Sequence, residues 1–373
     1  MTFYTVDSIT KIARKDWERI IGKIPEGYGF YKTLEESNLK EFVFHFALIE
    51  ERGIPVLIAP FFIGNFNLDI GVDGFLKTII TFIRRLLPKF LINRTLFFGS
   101  PFGENGTIGI DKTHTSPGTL IDCLISGINK VCAHHKCSLI VFKDFLQKDR
   151  QQLSSLPAKH GFFEVKSFPN VNVSLPFASI EEYLKNLGPS TRKNLKRKIK
   201  ETESHGDIYV EVKTDITGCI NEIYQLYNNT LQAGTTHFEK LTPEFFISCS
   251  RQTEPDALFF LYYIKGTLSA FNLCFRHNDT LIDKFIGFDY RVTREYNLYY
   301  YSWYFNVSWC IAEKIRNYQV GQTDYEPKIR LGGSCIPLYA FLKHRNPSLN
   351  SLLKILSTFL KPENFDHYMR KTE

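Results

Sequence analysis

Runs of apolar residues separated by turn residues predict antiparallel strands in the first half of the chain. An apolar hairpin is expected at Glu41–Glu50 and Ile54–Ile63, because these two runs flank a turn that contains Gly53. Apolar residues then recur at helical spacing over Thr119–His134, which leads into a predicted strand at Ser138–Phe142. The first half therefore predicts hairpin strands followed by a helix and a further strand.

The second half repeats this order of elements. A charged helix is predicted first, and three strands joined by short turns follow it. A long helix and a short strand complete the pattern. The predicted segments are Ile180–Glu203, Ala257–Ile264, Thr267–Arg276, Thr280–Asp289, Leu298–Arg316 and Tyr318–Gly321.

Antiparallel hairpins followed by a helical crossover predict an α/β chain of the α+β type. Each half would hold a mixed, mainly antiparallel sheet flanked by helices. A length of 373 residues also favours two domains, because single hydrophobic cores rarely grow beyond about 250–300 residues. The Pro-containing stretch near Leu175–Ser179 marks the joint. We therefore expect domains at residues 1–176 and 177–373.

Composition is typical of a compact protein kept in a reducing compartment. Hydrophobic residues make up 43% of the chain and aromatic residues 15%, which is enough for two packed cores. The eight cysteines are scattered without a CxxC pair, as reduced core cysteines are. The N-terminus lacks the apolar run of a signal peptide, so a cytoplasmic location is expected.

The most apolar stretch, residues 75–92, is not expected to cross a membrane, because it holds four basic residues and Pro88. Its pattern fits either a helix that covers a sheet or a helix that makes peripheral contact with a membrane surface. The net charge of +7 permits an anionic partner such as a CoA phosphate, tRNA or an acidic lipid surface.

Two segments of the second half resemble a known protein family. Residues 188–201, GPSTRKNLKRKIKE, and residues 298–333, LYYYSWYFNVSWCIAEKIRNYQVGQTDYEPKIRLGG, are similar to the FemAB-like and cellulose-biosynthesis-like group of the GNAT acetyltransferases. The residues whose spacing carries the resemblance are Gly321, Tyr325, Lys328, Arg330 and Gly332. The resemblance covers the C-terminal domain and extends to the first half through element order only. It implies two tandem GNAT-like domains, of which the C-terminal one carries the active site and the N-terminal one is non-catalytic.

The resemblance also implies an activity. It points to an N-acyltransferase that moves an acyl group from acyl-CoA, with acetyl-CoA as the expected cosubstrate, to an amine. The acceptor would be a sugar, an amino acid, a polyamine or a cell-envelope precursor. Two alternatives stay open at this point: a tRNA-dependent aminoacyltransferase of cell-wall precursors, and a GNAT-fold binding module without catalysis.

The donor-binding stretch departs from the GNAT pattern. GNAT acetyltransferases hold the CoA pyrophosphate on a glycine-rich turn after the fourth strand, whereas residues 291–298 contain no glycine. Backbone N–H groups at a helix N-terminus could still hold phosphate, and the cations of the later turn QTDYEPKIRLGG suit a phosphate or carboxylate. The expected cofactor-binding residues are Arg291, Arg294, Tyr299, Lys328 and Arg330.

Amine acylation needs a proton acceptor and a proton donor. Asp289, which ends a predicted strand, is the expected acceptor, and Asp283 on the same strand is interpreted as a solvent-face residue. Tyr325 is the expected donor to the leaving group, and His237 is a candidate base or acceptor contact in a loop. The structural alternatives are a helix-capping Asp289, an ion-paired loop around Tyr325 and an exposed His237.

The acceptor is expected to contact charged residues, namely Arg192, Lys193 and Glu326. Arg192 and Lys193 lie near the start of a basic helix, in which repulsion between like charges lowers helix stability and a bound polyanion would reduce that repulsion. The structural alternative is that this basic side of the helix simply faces solvent. The Cys132–Cys137 segment holds two cysteines and two histidines, but it spans a helix-to-strand junction without a second ligand pair. No metal site is expected.

Overall fold

The computed structural model describes residues 1–67, 92–114, 116–234, 240–252 and 256–358, together with residues 81, 84 and 85. The chain forms two compact units. Unit 1 comprises residues 1–23, 40–168 and 337–373, and unit 2 comprises residues 24–39 and 169–336. The units therefore differ from two consecutive halves, since each takes one segment from the opposite half of the sequence.

The strands, in chain order, are β1 (Thr2–Val6), β2 (Val43–Glu51), β3 (Ile54–Asn67), β4 (Ile92–Phe98), β5 (Gly109–Ile110), β6 (Leu139–Leu146), β7 (Phe163–Ser174), β8 (Ile208–Lys213), β9 (Asp256–Ile264), β10 (Thr267–His277), β11 (Thr280–Phe288), β12 (Asn317–Gln319) and β13 (Gly333–His344). The α-helices of the described ranges are α1 (Arg14–Ile20), α2 (Tyr28–Glu36), α3 (Pro117–His134), α4 (Ser155–Lys159), α5 (Ile180–Asn186), α6 (Pro189–Ser204), α7 (Ile220–Ala233), α8 (Pro243–Ser250), α9 (Tyr290–Thr293), α10 (Leu298–Ala312), α11 (Tyr325–Arg330) and α12 (Pro347–Ser357).

Unit 1 is built on a mixed sheet with the strand order β1-β2-β3-β4-β6-β13, and β5 pairs with β3. β4 and β6 are parallel, and the other neighbours are antiparallel. The core lies between this sheet and α3, where the rings of Phe98 and Phe142 stack with centroids 4.0 Å apart. α3 supplies Leu120, Leu124 and Ile128 to this core at helical spacing.

In unit 2 the strands of the mixed sheet lie in the order β7-β12-β11-β10-β9-β8. Neighbouring strands are antiparallel except for β11 and β12, which are parallel. A β-bulge interrupts β11. Cys274 pairs with Asp283 and Leu273 pairs with Phe285, so Lys284 is the extra residue.

Helices cover both faces of the unit 2 sheet. Tyr262 pairs with Ala270, and the next residue, Phe271, points to the opposite face because side chains alternate along a strand. The Tyr262 ring contacts Phe305 of α10 at 6.1 Å between centroids, and the Phe271 ring contacts Phe246 of α8 at 5.8 Å. The central strands are therefore buried on both sides.

Residues 24–39 are anchored in unit 2 by a buried ion pair. Lys284 Nζ lies 2.8 Å from Glu26 Oε1, and the two side chains are only 1% and 7% exposed. Lys284 also lies over the Phe30 ring of α2, and Thr242 Oγ1 donates a hydrogen bond to the Ser37 carbonyl. The bulge on β11 thus places a cation where it fixes α2 against the rest of the unit.

The predicted fold class is confirmed, because each unit holds a mixed, mainly antiparallel sheet with flanking helices. The stretch QTDYEPKIRLGG, predicted as a turn, instead contains the helix α11. The predicted amphipathic segment 75–92 lies outside the described residues, apart from positions 81, 84, 85 and 92. None of the helices in the described ranges combines the length and the apolar character needed to span a bilayer.

Candidate active site

β11 and β12 diverge at one end of the unit 2 sheet. They pair only over Thr280–Ile282 and Asn317–Gln319, after which β12 ends while β11 continues to Phe288. Within the described residues, the last part of β11 pairs with β10 alone. A gap at the carboxyl ends of parallel strands is a common ligand site, because loops and helix N-termini meet there.

An open cleft of about 380 Å³ follows the end of β11. Its walls come from α6 and from the chain that joins β11 to α10. The lining residues are Lys198, Tyr290, Thr293, Arg294, Asn297, Tyr299 and Tyr300. Two cationic side chains and three phenols therefore share one opening.

The N-terminus of α10 opens into this cleft. Asn297 adopts a left-handed conformation with φ of 46°, and its carbonyl accepts the N–H groups of Tyr300 and Tyr301. Asn is one of the few residues other than glycine that tolerate this conformation, so the turn forms without a glycine. The first N–H groups of a helix of 15 residues carry partial positive charge and suit an anion.

Lys198 is held over an aromatic ring in the cleft. Its Nζ lies 3.7 Å from the centre of the Tyr300 ring, which is a cation–π contact. The buried residues Leu195, Ile199 and Thr202 fix the inner face of α6, and Lys198 lies at the edge of this face. Burial lowers the pKa of Lys198, because it disfavours the charged form.

Tyr299 lines the cleft and has a buried hydroxyl that makes no hydrogen bond to any described residue. Burial raises the pKa of Tyr299, and the charge of Asp324 adds to the effect. The phenol therefore stays protonated near neutral pH and is able to donate a hydrogen bond to a ligand.

A buried polar network lies where β11 and β12 part. Asp283 Oδ2 accepts hydrogen bonds from Asn272 Nδ2 at 2.8 Å and from the Tyr318 hydroxyl at 2.7 Å. Asn306 Nδ2 donates to the Tyr318 oxygen at 3.0 Å, and Tyr262 donates to Asn306 Oδ1 at 2.6 Å. Burial raises the pKa of Asp283 to about 6, although the hydrogen bonds from Asn272 and Tyr318 oppose this rise.

The interpretation of Asp283 as a solvent-face residue is wrong. Asp283 is partly buried within a central strand, and its carboxylate bonds to residues of β10 and β12 rather than to water alone. The hydrogen bonds from Tyr318 and Asn272 replace the water that a carboxylate loses on burial.

Asp289 caps α9 rather than standing free in the cleft. Its Oδ1 accepts the backbone N–H of Arg291 at 3.0 Å, and its carboxylate forms a two-pronged ion pair with the Arg291 guanidinium. Hydrogen bonding to this guanidinium holds the pKa of Asp289 below its usual value. Neither residue lines the cleft, whereas the predicted residues Arg294 and Tyr299 do.

The predicted cluster in α11 makes contacts within its own unit. The Tyr325 hydroxyl donates to the carbonyls of Pro169 and Gln322, at 3.0 and 2.7 Å, and the buried Lys328 ammonium donates to the Val320 carbonyl. These bonds tie α11 to β7 and to the chain that follows β12. The remaining two predicted residues pair on the surface, where Arg330 Nη2 lies 2.7 Å from Glu326 Oε1.

The other predicted residues lie elsewhere. Arg192 Nη1 donates to the Lys185 carbonyl at 3.1 Å, Lys193 is exposed, and His237 lies outside the described residues. Cys132 and Cys137 are core residues at the C-terminus of α3. No group of three or more potential metal ligands occurs within the described part of the chain.

Sequence reasoning missed Lys198, whose ammonium lies over a ring in the first turn of α10. The sequence spacing could have indicated its position, because Lys198 lies three residues after Leu195 and four before Thr202. These two residues are on the buried face of α6, so Lys198 lies beside that face. Asn297 was also missed. An Asn directly before a helical run is typical of an N-cap, although here its side chain makes no capping hydrogen bond and its backbone is left-handed.

Comparison with known proteins decides the family. A family model described as peptidoglycan biosynthesis/recognition, FemAB-like, matches residues 96–372. The chain belongs to the FemAB-like family. The predicted relationship to FemAB-like proteins is therefore confirmed.

Several solved structures share this fold. FemX matches with a TM-score of 0.57 and 10% identity over 95% of this FemAB-like chain and 100% of FemX. A tandem GNAT protein of the clavulanic acid biosynthesis pathway matches with a TM-score of 0.52 and 9% identity, over 92% of this chain and 98% of that chain. The C-terminal domain of a provisionally named lysylphosphatidylglycerol synthetase from Agrobacterium fabrum matches with a TM-score of 0.54 and 9% identity. The match covers 92% of this chain and 96% of that domain. These likenesses show a tandem GNAT-like fold.

The curated relatives are longer proteins. A Mycobacterium tuberculosis protein provisionally named 8-amino-7-oxononanoate synthase 2 is 24% identical over 324 residues, and the match covers 85% of this chain. It covers only 42% of the relative, so the FemAB-like chain spans less than half the length of the curated relatives it matches.

Proposed function

We propose that unit 2 transfers an acyl group from acyl-CoA, with acetyl-CoA as the first donor to test, to an amine. The observation that carries this proposal is the cleft at the end of β11, where Lys198 and Arg294 lie beside the N-terminus of α10. Two cations and a helix N-terminus in one opening match the charge of a pyrophosphate. Unit 1 is proposed to be non-catalytic.

The phosphate groups of the donor are the proposed ligands of Lys198 and Arg294. Lys198 is oriented by the Tyr300 ring before any ligand arrives, so little side-chain freedom is lost on binding. Its burial lowers its pKa, and a bound phosphate would favour the charged form again. The donor's acyl end would then extend into the gap between β11 and β12.

Acyl transfer from a thioester requires that the amine attack the carbonyl carbon and that the thiolate leave. The Tyr299 hydroxyl is the proposed donor to the developing anion, because it is protonated, buried and free of described hydrogen-bond partners. Asp289 is the proposed acceptor of the ammonium proton. This role requires Arg291 to swing away, which its 85% exposed side chain permits.

The proposed acceptor is an amine on a small molecule or on a cell-envelope precursor. Support comes from the family description, peptidoglycan biosynthesis/recognition. Arg192, Lys193 and Glu326, selected from the sequence, remain the proposed acceptor contacts. Tyr325, Lys328 and Arg330 are better proposed as supports of the site, since they bond within unit 2 or lie on its surface.

A second donor, aminoacyl-tRNA, is favoured by one observation. The exposed side of α6 carries Lys193, Lys196, Arg197 and Lys200, and the same helix places Lys198 in the cleft. A nucleic-acid backbone that followed this face would bring its 3′ end towards the same opening. FemX shares the fold at low identity, which does not choose between the donors.

Ligand-induced stabilisation of the full chain tests the two donors. At about 100 times its Kd, a bound ligand adds about 2.7 kcal/mol, which raises the Tm by about 2–4 °C. CoA and acetyl-CoA should produce this rise in the wild type and in Lys196→Gln. Lys198→Gln and Arg294→Gln should lose it, because these side chains line the cleft and Lys196 does not.

The same series separates the alternatives. Stabilisation by uncharged tRNA but not by CoA, lost in Lys196→Gln with Lys200→Gln, would replace the CoA proposal by the tRNA one. Stabilisation by CoA without transfer to any amine would leave a binding module. If neither CoA nor tRNA binds, the cleft is not the donor site and the proposal fails.

A further inference from the structure

The helix α12 of unit 1 presents an apolar face to solvent. Leu349, Leu352, Ile355 and Leu356 are exposed by 46%, 50%, 62% and 45%. The helix buries none of its residues, although it is amphipathic in sequence. An amphipathic helix normally turns its apolar side to the core, as α3 does in the same unit.

Polar contacts fix this orientation of α12. Asn346 caps the helix by accepting the N–H groups of Ser348 and Leu349. On the protein-facing side, Asn350 Nδ2 donates to the Gly161 carbonyl at 2.9 Å, and its Oδ1 accepts the N–H of His344 at 2.8 Å. The helix is therefore attached by amide groups, and its apolar side is left outward.

The charged residues that adjoin α12 in the sequence are all basic. Arg345 and Lys354 are exposed, whereas Lys343 is partly buried and lies over the Phe162 ring. Residues 343–358 contain Lys343, Arg345 and Lys354 but no Asp or Glu. The exposed side chains are all aliphatic, whereas the cores of protein interfaces are enriched in aromatic residues, Met and Arg. An aliphatic face with basic neighbours is complementary to a bilayer that exposes anionic headgroups over acyl chains.

We propose that α12 is a docking surface for an anionic lipid bilayer, in which Leu352, Ile355 and Leu356 enter the acyl boundary while the neighbouring basic side chains meet the headgroups. The inference does not depend on which donor binds in the cleft of unit 2. It would hold the enzyme at a membrane where an envelope precursor or a lipid is the acceptor.

Vesicle flotation with the full chain tests this inference. The probes are vesicles of phosphatidylglycerol with phosphatidylcholine, and vesicles of phosphatidylcholine alone. The test variant is Leu352→Gln with Ile355→Gln, whose Tm should stay near that of the wild type because both side chains are half exposed or more. The control is Ile54→Gln, which alters an equally exposed aliphatic residue in the β2–β3 hairpin, 58% exposed.

The wild type and Ile54→Gln should float with the anionic vesicles and much less with neutral ones. The double variant should bind at least about tenfold more weakly than the wild type. Lys354→Gln should weaken binding to anionic vesicles by about fivefold. Absence of wild-type binding, or equal binding by the double variant, would overturn the proposal. A wild-type dimer that the double variant converts to a monomer would assign this face to a second copy of the chain instead.

Discussion

The ammonium of Lys198 lies 3.7 Å from the centre of the Tyr300 ring, and the adjacent residue Tyr299 places a buried hydroxyl in the same cleft. Consecutive residues on the first turn of α10 thus have different roles. One ring orients a cation that suits phosphate, and the other phenol is available to a ligand. This arrangement joins α6 to α10, which are the two segments whose sequences resemble GNAT proteins.

Tyr299→Phe removes the hydroxyl and keeps the ring. If this phenol stabilises the leaving group, kcat for acyl transfer should fall by about 100-fold or more, while the KM for acetyl-CoA changes little. The measurement is release of free CoA thiol in the presence of a panel of amines. Tyr300→Phe is the matched control, because it keeps a ring beneath Lys198 and should leave kcat nearly unchanged. Equal kcat values for wild type and Tyr299→Phe would contradict the assigned role.

Asp283 should make stability depend on pH between about 4 and 6. Its folded-state pKa is about 6, above the ordinary value of 3.8, so the folded state keeps a proton that the unfolded state releases in this window. Stability is therefore greatest below the unfolded pKa and falls as the pH rises through about 6. The loss amounts to about 3 kcal/mol, since each pKa unit is worth about 1.4 kcal/mol.

Asp283→Asn removes this titration, and its urea unfolding free energy should vary less between pH 4 and pH 6.5 than that of the wild type. Asp215→Asn is a control, because Asp215 is an exposed residue of the same unit whose hydrogen bonds to Thr217 lower its pKa. In Asp215→Asn, the slope of the unfolding free energy against pH should stay largely as in the wild type between pH 4 and pH 6.5. An unchanged slope in Asp283→Asn would show that another group titrates.

The order of elements was predictable from the sequence, because hairpin turns and helical spacing are local signals. The burial of Asp283 in a hydrogen-bonded network was not predictable. Carboxylates are mostly exposed, and the partners that accompany the partial burial of this one, Asn272 and Tyr318, lie 11 and 35 residues away. The contact between Lys284 and Glu26 spans 258 residues, so no local pattern revealed that residues 24–39 belong to unit 2.

Glu26→Gln should destabilise unit 2 strongly. It replaces the carboxylate 2.8 Å from the Lys284 ammonium, which is 1% exposed, by a neutral amide, and removal of one partner of a buried pair costs about 3–5 kcal/mol. The urea midpoint measures this loss. Glu26→Leu combined with Lys284→Met should recover most of it, because both buried charges are then absent. Glu36→Gln is the control, since its pair with Lys32 is exposed and worth under about 1 kcal/mol.

Gly127→Ala should destabilise unit 1 although alanine favours helices. A Cβ at Gly127 would lie 2.3 Å from the Phe3 ring of β1, so α3 and β1 would have to move apart. Such overpacking costs about 1–3 kcal/mol, which exceeds the gain in helix propensity of about 1 kcal/mol. Gly118→Ala, in the same helix, meets no atom within 4 Å and should be neutral or stabilising. The two variants should therefore shift the Tm in opposite directions. Gly127→Ala with Phe3→Leu should recover part of the loss, because the smaller side chain makes room for the methyl group. Equal Tm values for Gly127→Ala and Gly118→Ala would mean that α3 does not pack on Phe3.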